Sequence, residues 1–75
     1  MKDIVIYSSN TCVNCKAAKQ FMSENNIQYE EKNIDDDRNN MQYLIDNGFR
    51  GVPVIVINDE PYLGFSEEVK ENLLG

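Results

Sequence analysis

The chain has no histidine and no tryptophan, and its 75 residues include only two cysteines and two prolines. Without histidine, no imidazole can serve as a base or a metal ligand. Two cysteines alone cannot complete a four-ligand zinc site of sulfur and nitrogen within one chain. The two sulfurs are separated by two residues. Their bridge closes a loop so small that it contributes only about 2 kcal/mol by chain entropy. A disulfide-stapled secreted scaffold would carry more cysteines, further apart. Positive charge is also scarce: seven Lys and Arg stand against thirteen Asp and Glu, a net charge of −6. That balance argues against nucleic acid and against anionic membrane surfaces. Long apolar runs are missing. Met1-Lys2-Asp3 leads into only four apolar residues, too few for a signal peptide or a membrane span. No period of twenty to fifty residues repeats. The expectation is one domain over 1–75, cytoplasmic and monomeric, its thiols reduced at rest. A chain this short buries only about 60% of its unfolded surface.

What is present centres on Ser8-Ser9-Asn10-Thr11-Cys12-Val13-Asn14-Cys15-Lys16. The apolar run Ile4-Val5-Ile6-Tyr7 before it shows no alternation, as expected of a central strand covered on both faces. After it, Cys15, Ala18, Phe21 and Met22 recur at helical spacing, predicting a helix from Cys15 to Asn25. Cys12 precedes the first full turn and is expected to be exposed, whereas Cys15 shares the inward stripe. A Cys-x-x-Cys at a strand-to-helix junction is a redox motif in outline.

Residues 28–33 read as an edge strand. In Ile34-Asp35-Asp36-Asp37, one Asp can cap a helix and the others favour its positive end. The competing reading is a calcium loop using Asp35, Asp37, Asn39 and Asp46. It lacks glycine at the sixth position and glutamate at the last. Met41, Leu44 and Ile45 predict the apolar stripe of a second helix, with Gly48 as its C-terminal cap. Val54-Ile55-Val56-Ile57 is a second buried strand, Asn58-Asp59 a turn, and Glu60 to Leu63 a return strand that Pro61 marks as an edge. Ser66 caps a last helix with Glu67 and Glu68 in its first turn and Val69 and Leu73 inward. The order is βαβαββα. It predicts an α/β fold: a four-stranded mixed sheet flanked by helices, with a right-handed first crossover and a final antiparallel hairpin.

In three blocks the chain resembles the glutaredoxins, and most closely the glutaredoxin-like redoxins that donate electrons to class Ib ribonucleotide reductase. These are Ile6-Tyr7 followed by Cys12-Val13-Asn14-Cys15, then Gly48-Phe49-Arg50-Gly51-Val52-Pro53-Val54, then Gly64-Phe65-Ser66. The resemblance implies a thioredoxin-like fold, a cis peptide bond before Pro53 and no cofactor beyond a redox-active Cys12–Cys15 disulfide. It implies catalysis by Cys12 and Cys15, with Val13, Asn14, Lys16, Gly51, Val52, Pro53, Gly64 and Phe65 bordering the substrate. The substrate would be a disulfide-containing protein, with ribonucleotide reductase one candidate. The electron donor would be a thioredoxin reductase or glutathione. Ordinary glutaredoxins carry Pro-Tyr between the cysteines, and a small residue and an Asp after the late glycines. Here stand Val13-Asn14 and Phe65-Ser66-Glu67. The reductase donors usually carry Trp where this chain has Tyr62.

The nucleophile must be a thiolate, and moving a thiol from about 8.5 to about 7 requires roughly 2 kcal/mol. A helix dipole supplies about 0.3–1 kcal/mol. Backbone N–H bonds to a charged acceptor add about 1.5–3 kcal/mol. The N–H groups of Asn14 and Cys15 are the expected donors. Lys16 lies nearby, and Lys19 reads as solvated helix surface. Val52, preceding a proline, is biased to extended backbone. Its N–H and C=O can pair with an incoming peptide, rimmed by Phe49, Arg50, Tyr62 and Phe65. Tyr7 reads as packing. Two other classes compete: a zinc or iron–sulfur site shared between chains, and a non-catalytic interaction domain with a vestigial disulfide. Colour and bound metal after anaerobic purification would mark the first. Failure to turn over any disulfide would mark the second.

Overall fold

The computed structural model describes residues 3–75, so the start of the N-terminal segment, Met1-Lys2, lies outside it. Seven elements follow the expected order: β1 (Ile4–Ser8), α1 (Val13–Glu24), β2 (Glu30–Asn33), α2 (Arg38–Asp46), β3 (Val54–Ile57), β4 (Glu60–Leu63) and α3 (Glu67–Leu74). The sheet order is β2-β1-β3-β4. Strands β1 and β2 are parallel, and both β1–β3 and β3–β4 are antiparallel. The two non-alternating apolar runs are the two central strands. Such strands need cover on both faces, and both faces are covered. Ile4, Ile6, Ile55 and Ile57 pack with Ala18 and Met22 of α1 and Val69 and Leu73 of α3. Tyr7, Val54 and Val56 pack with Leu44 of α2 on the other face.

Helix α1 begins at Val13, two residues earlier than expected. Cys12 is its N-cap, with extended backbone and a side chain that accepts from the Cys15 N–H. Sulfur does the capping that Ser, Thr or Asp ordinarily does. The inward stripe is Cys15, Ala18 and Met22, while Phe21 is only partly buried against it. Past the C-cap Asn25, Asn26 turns into the left-handed region at φ 56°. The Ile27 N–H reaches the Met22 carbonyl at 2.8 Å, closing the last turn. Strand β2 is shorter than its expected 28–33, starting at Glu30.

The expected stripe of α2 is corrected. Leu44 is its one buried residue, whereas Met41 and Ile45 are 39% and 58% exposed. The helix is rotated because Tyr43 stacks on Tyr7, with centroids 4.5 Å apart and planes 2° apart. Asn40 also turns inward, its Nδ2 donating to the Asn33 carbonyl at 2.9 Å. These two polar-ended side chains take places that periodicity assigns to Met41 and Ile45. Asp37 caps α2 by accepting from the Asn39 N–H at 2.9 Å, and Asp35 accepts from the Asn10 N–H. The acidic run is therefore committed to a helix start and a loop tie rather than gathered for calcium. Gly48, at φ 80°, ends α2 as expected. The Phe49 N–H closes on the Leu44 carbonyl at 2.8 Å.

Ile57 pairs with Glu60, so Asn58-Asp59 is a two-residue hairpin turn. Both have positive φ, 50° and 71°, the combination of the mirror-image type I turn that matches strand twist. Ser66 caps α3 through its Oγ, which accepts from the Val69 N–H.

Candidate active site

The site assembles where β1 ends and α1 begins. Chain direction places the starts of both α1 and α2 at this end of the sheet, following β1 and β2. Cys12 and Cys15 are joined as a disulfide, with Cα atoms 5.2 Å apart. The Cys12 Sγ marks where a thiolate sits once the bridge is reduced. It accepts from the Cys15 N–H at 3.1 Å. Of the two expected donors, the Cys15 amide is the one placed on the sulfur. Cys12 is half-exposed rather than fully exposed, since it tucks back over the first turn. Cys15 is only 1% exposed. The asymmetry expected from periodicity is therefore present: one sulfur at the helix mouth, the other beneath it.

Val13 is 78% exposed, and Asn14 and Lys16 are exposed beside it. The loop Ser9–Thr11 is held from below. The Asn10 N–H donates to Asp35 Oδ2 at 2.9 Å, and Asn33 Nδ2 donates to Asn10 Oδ1 at 2.9 Å. The Ile34 N–H also closes on the Ser8 carbonyl at 2.8 Å. Sequence reading missed this tie. Its signal was a cluster of Asn and Asp on both sides, residue types that bond backbone groups locally.

The Val52–Pro53 peptide is cis. Gly51 is exposed, Val52 half-buried and Pro53 buried. The Pro53 carbonyl is taken by the Gly64 N–H at 2.7 Å, which ties the Gly64-Phe65 segment to the proline. The Phe65 ring packs edge-on against Phe21 at 5.5 Å, and Lys70 lies 5.1 Å over it. The residues of the expected rim divide between the two faces of the sheet. Phe49 packs in the α2 layer, whereas Tyr62 and Phe65 pack on the opposite face of the sheet. Arg50 remains exposed next to Gly51.

Lys19 is not loose helix surface. Its Nζ lies 2.7 Å from Glu31 Oε2, and the same oxygen accepts from the buried Ser8 Oγ at 2.7 Å. The Lys19 and Ser8 hydrogen bonds hold the Glu31 carboxyl below its ordinary value, against a smaller opposing effect of burial. On the other face, burial foremost, then Tyr43 and Glu30, pushes the Tyr7 hydroxyl up, as a packing role requires. A shallow groove of about 920 Å³ lies at the far end of the sheet, bordered by Asp3, Asn26, Tyr29 and Leu74. Among the described residues, no group of three or more His, Cys, Asp or Glu is arranged to hold a metal ion. No helix of the described residues is long and apolar enough to cross a membrane.

Comparison with known proteins agrees with this geometry. The glutaredoxin family model matches residues 4–62. The glutaredoxin-like protein NrdH of Lactococcus lactis (strain IL1403) is 39% identical over 62 residues, covering 83% of this chain and 86% of that protein. Among solved structures, the thioredoxin-like protein BC3987 superposes with a TM-score of 0.84 at 30% identity, covering 95% of this chain and 99% of that one. The glutaredoxin-like NrdH-redoxin from Escherichia coli, whose structure was described for its thioredoxin-like activity profile, gives 0.83 at 31% identity. It covers 92% of each chain.

Proposed function

Because the chain belongs to the glutaredoxin family, we propose that it is a dithiol protein-disulfide reductase in which Cys12 attacks and Cys15 resolves, recharged by a thioredoxin reductase. The observation that carries this is the unequal burial of two sulfurs on one helix mouth, with the inner residue's N–H aimed at the outer sulfur. In the first step the Cys12 thiolate attacks a substrate disulfide, one substrate sulfur leaves as thiolate, and a mixed disulfide forms. In the second, the Cys15 sulfur attacks Cys12 Sγ. The bond between Cys12 and the substrate breaks, the second substrate thiolate leaves, and the internal disulfide remains. The Cys15 N–H and the α1 dipole together supply about 2–4 kcal/mol toward ionising Cys12, enough to bring it near neutral pH without histidine.

The Val52 N–H and C=O, at the end of the sheet where β1 runs into the redox loop because Val54 pairs with Tyr7, offer a pairing edge to the substrate main chain. Gly51, Pro53, Gly64 and Phe65 shape that edge, and Val13, Asn14 and Lys16 flank it. Phe65 supports a reductase as donor, because a bulky ring stands where ordinary glutaredoxins carry a small residue, and the Ser66 hydroxyl beside it is spent on capping α3. A ribonucleotide reductase is the favoured substrate, from likeness to proteins named NrdH. The decisive experiment has two arms. NADPH consumption through thioredoxin reductase is expected to support insulin reduction. Glutathione with its own reductase is expected to give little. The reverse pattern overturns the donor assignment. A Cys15→Ser variant is expected to trap a covalent complex through Cys12, and trapping by Cys12→Ser instead would reverse the two roles.

A further inference from the structure

Resolution demands that Cys15 lose a proton, yet Cys15 is 1% exposed and the chain has no histidine. Water has no direct access to take that proton. Burial in apolar surroundings also disfavours the thiolate. The proton needs an acceptor that reaches both the buried layer and solvent.

Among the described residues, Ser8 is the one polar residue that is fully buried, at 0% exposure. Strand alternation puts it on the face of Ile4 and Ile6, the face that packs against Ala18 and Met22 of α1. The strand runs toward the redox loop and α1 runs back from it. Ser8 therefore lies at the Cys15 end of that layer. Its Oγ donates to Glu31 Oε2 at 2.7 Å. Glu31 pairs with Ile6 across β1–β2, and its side chain is 35% exposed. Lys19 holds the same oxygen at 2.7 Å, one helical turn on from Cys15, where residues four apart are neighbours. The other charged groups near this layer are otherwise engaged or turned away. Lys16 is exposed, Lys70 is paired with Glu67, and Lys32 lies over the Tyr7 ring on the opposite face.

We propose that Ser8 and Glu31 form a proton exit for Cys15, with Lys19 as the positioning residue that holds the carboxylate in place. Ser8 Oγ accepts the Cys15 proton as its own passes to Glu31. Glu31 releases it to water from its exposed side. Cys15 Sγ, now carrying the electron pair, forms the bond to Cys12 Sγ, and the substrate sulfur leaves with the pair from the broken bond. This rests on the assignment of Cys15 as the resolving thiol.

The test is a stopped-flow single turnover of the reduced protein with Ellman's reagent. Attack by Cys12 releases one nitrothiobenzoate anion, and resolution by Cys15 releases a second, so the two steps appear as two phases. In Ser8→Ala and in Glu31→Gln, the second phase is expected to slow at least about tenfold, the low end of what a placed proton acceptor contributes. The first phase should stay at the parent rate. Ser8→Thr, which keeps the hydroxyl, is expected to restore the second phase. Glu31 is partly exposed, so its variant keeps the question open to measurement even if Ser8→Ala folds poorly. A second phase at parent rate in Glu31→Gln overturns the exit. Equal slowing of both phases overturns it too, since that marks a merely structural contribution. If the parent itself releases only one anion, the resolving role of Cys15 fails, and the exit falls with it.

Discussion

Glu31 shows how much one side chain can be asked to do in so small a protein. Its carboxyl is held below the ordinary value of 4.5 by Lys19 first and Ser8 second. A carboxyl lowered on folding adds stability that is complete above its unfolded value and lost as pH falls through its folded one. Glu31→Gln is therefore expected to lower stability at pH 7, with the difference from the parent vanishing in acid below the folded value. Because the pair is partly exposed, the effect should not exceed about 1 kcal/mol. Urea titrations at pH 7 and at pH 3 check it. A deficit that persists unchanged in acid would falsify the electrostatic account. At the same scale, the unequal burial of the two cysteines was legible in the sequence because helical period alone separates positions 12 and 15. The Ser8–Glu31–Lys19 contact was not. It joins three elements distant in sequence, and a lone serine at a strand end carries no spacing signal.

At the scale of elements, the hairpin and α2 give opposite lessons. Asp59 sits at φ 71°, where a side chain costs roughly 1 kcal/mol that glycine does not. Asp59→Gly is expected to stabilise the protein by about 0.5 kcal/mol, after the looser unfolded chain is counted. The shift of its urea midpoint checks this. In α2, Leu44→Ala is expected to cost about 2–5 kcal/mol. Ile45→Gln should change stability by less than about 0.5 kcal/mol, as an exposed substitution does. Chemical denaturation of the two variants side by side decides whether Leu44 alone anchors the helix. The sequence indicated that α2 exists and where it stops, since Asp37 and Gly48 are end signals with a mechanism. It pointed to the wrong face. Apolar periodicity treats Asn40 and Tyr43 as outward, yet a carbonyl at the end of β2 and a partner ring on β1 draw them in. Tertiary partners outweigh a short amphipathic pattern.

For the molecule as a whole, the layering follows from two runs that never alternate. Ile4–Tyr7 and Val54–Ile57 are apolar on both sides, so they have to be central and doubly covered. The polar Glu30–Asn33 and the proline-bearing Glu60–Leu63 fall to the edges. Stability is then concentrated in β1 and β3. Native-state hydrogen exchange is expected to find the slowest amides there, exchanging only through global unfolding. Amides of α2, fastened by few buried contacts, should open locally. Uniform protection across all four strands and α2 would contradict this ordering. The pairing of the late Gly64 segment with the Pro53 carbonyl was beyond sequence reading by spacing, because it spans two loops whose meeting depends on the finished sheet.

The stacked pair Tyr7 and Tyr43 also makes the protein its own spectroscopic gauge. With no tryptophan among its 75 residues, near-ultraviolet ellipticity comes chiefly from four tyrosines. Two of them lie face to face, one on the central sheet and one on α2. Their coupled band disappears when that helix lifts away, while far-ultraviolet ellipticity still reports the backbone. Undocking of a single element can thus be watched without any label.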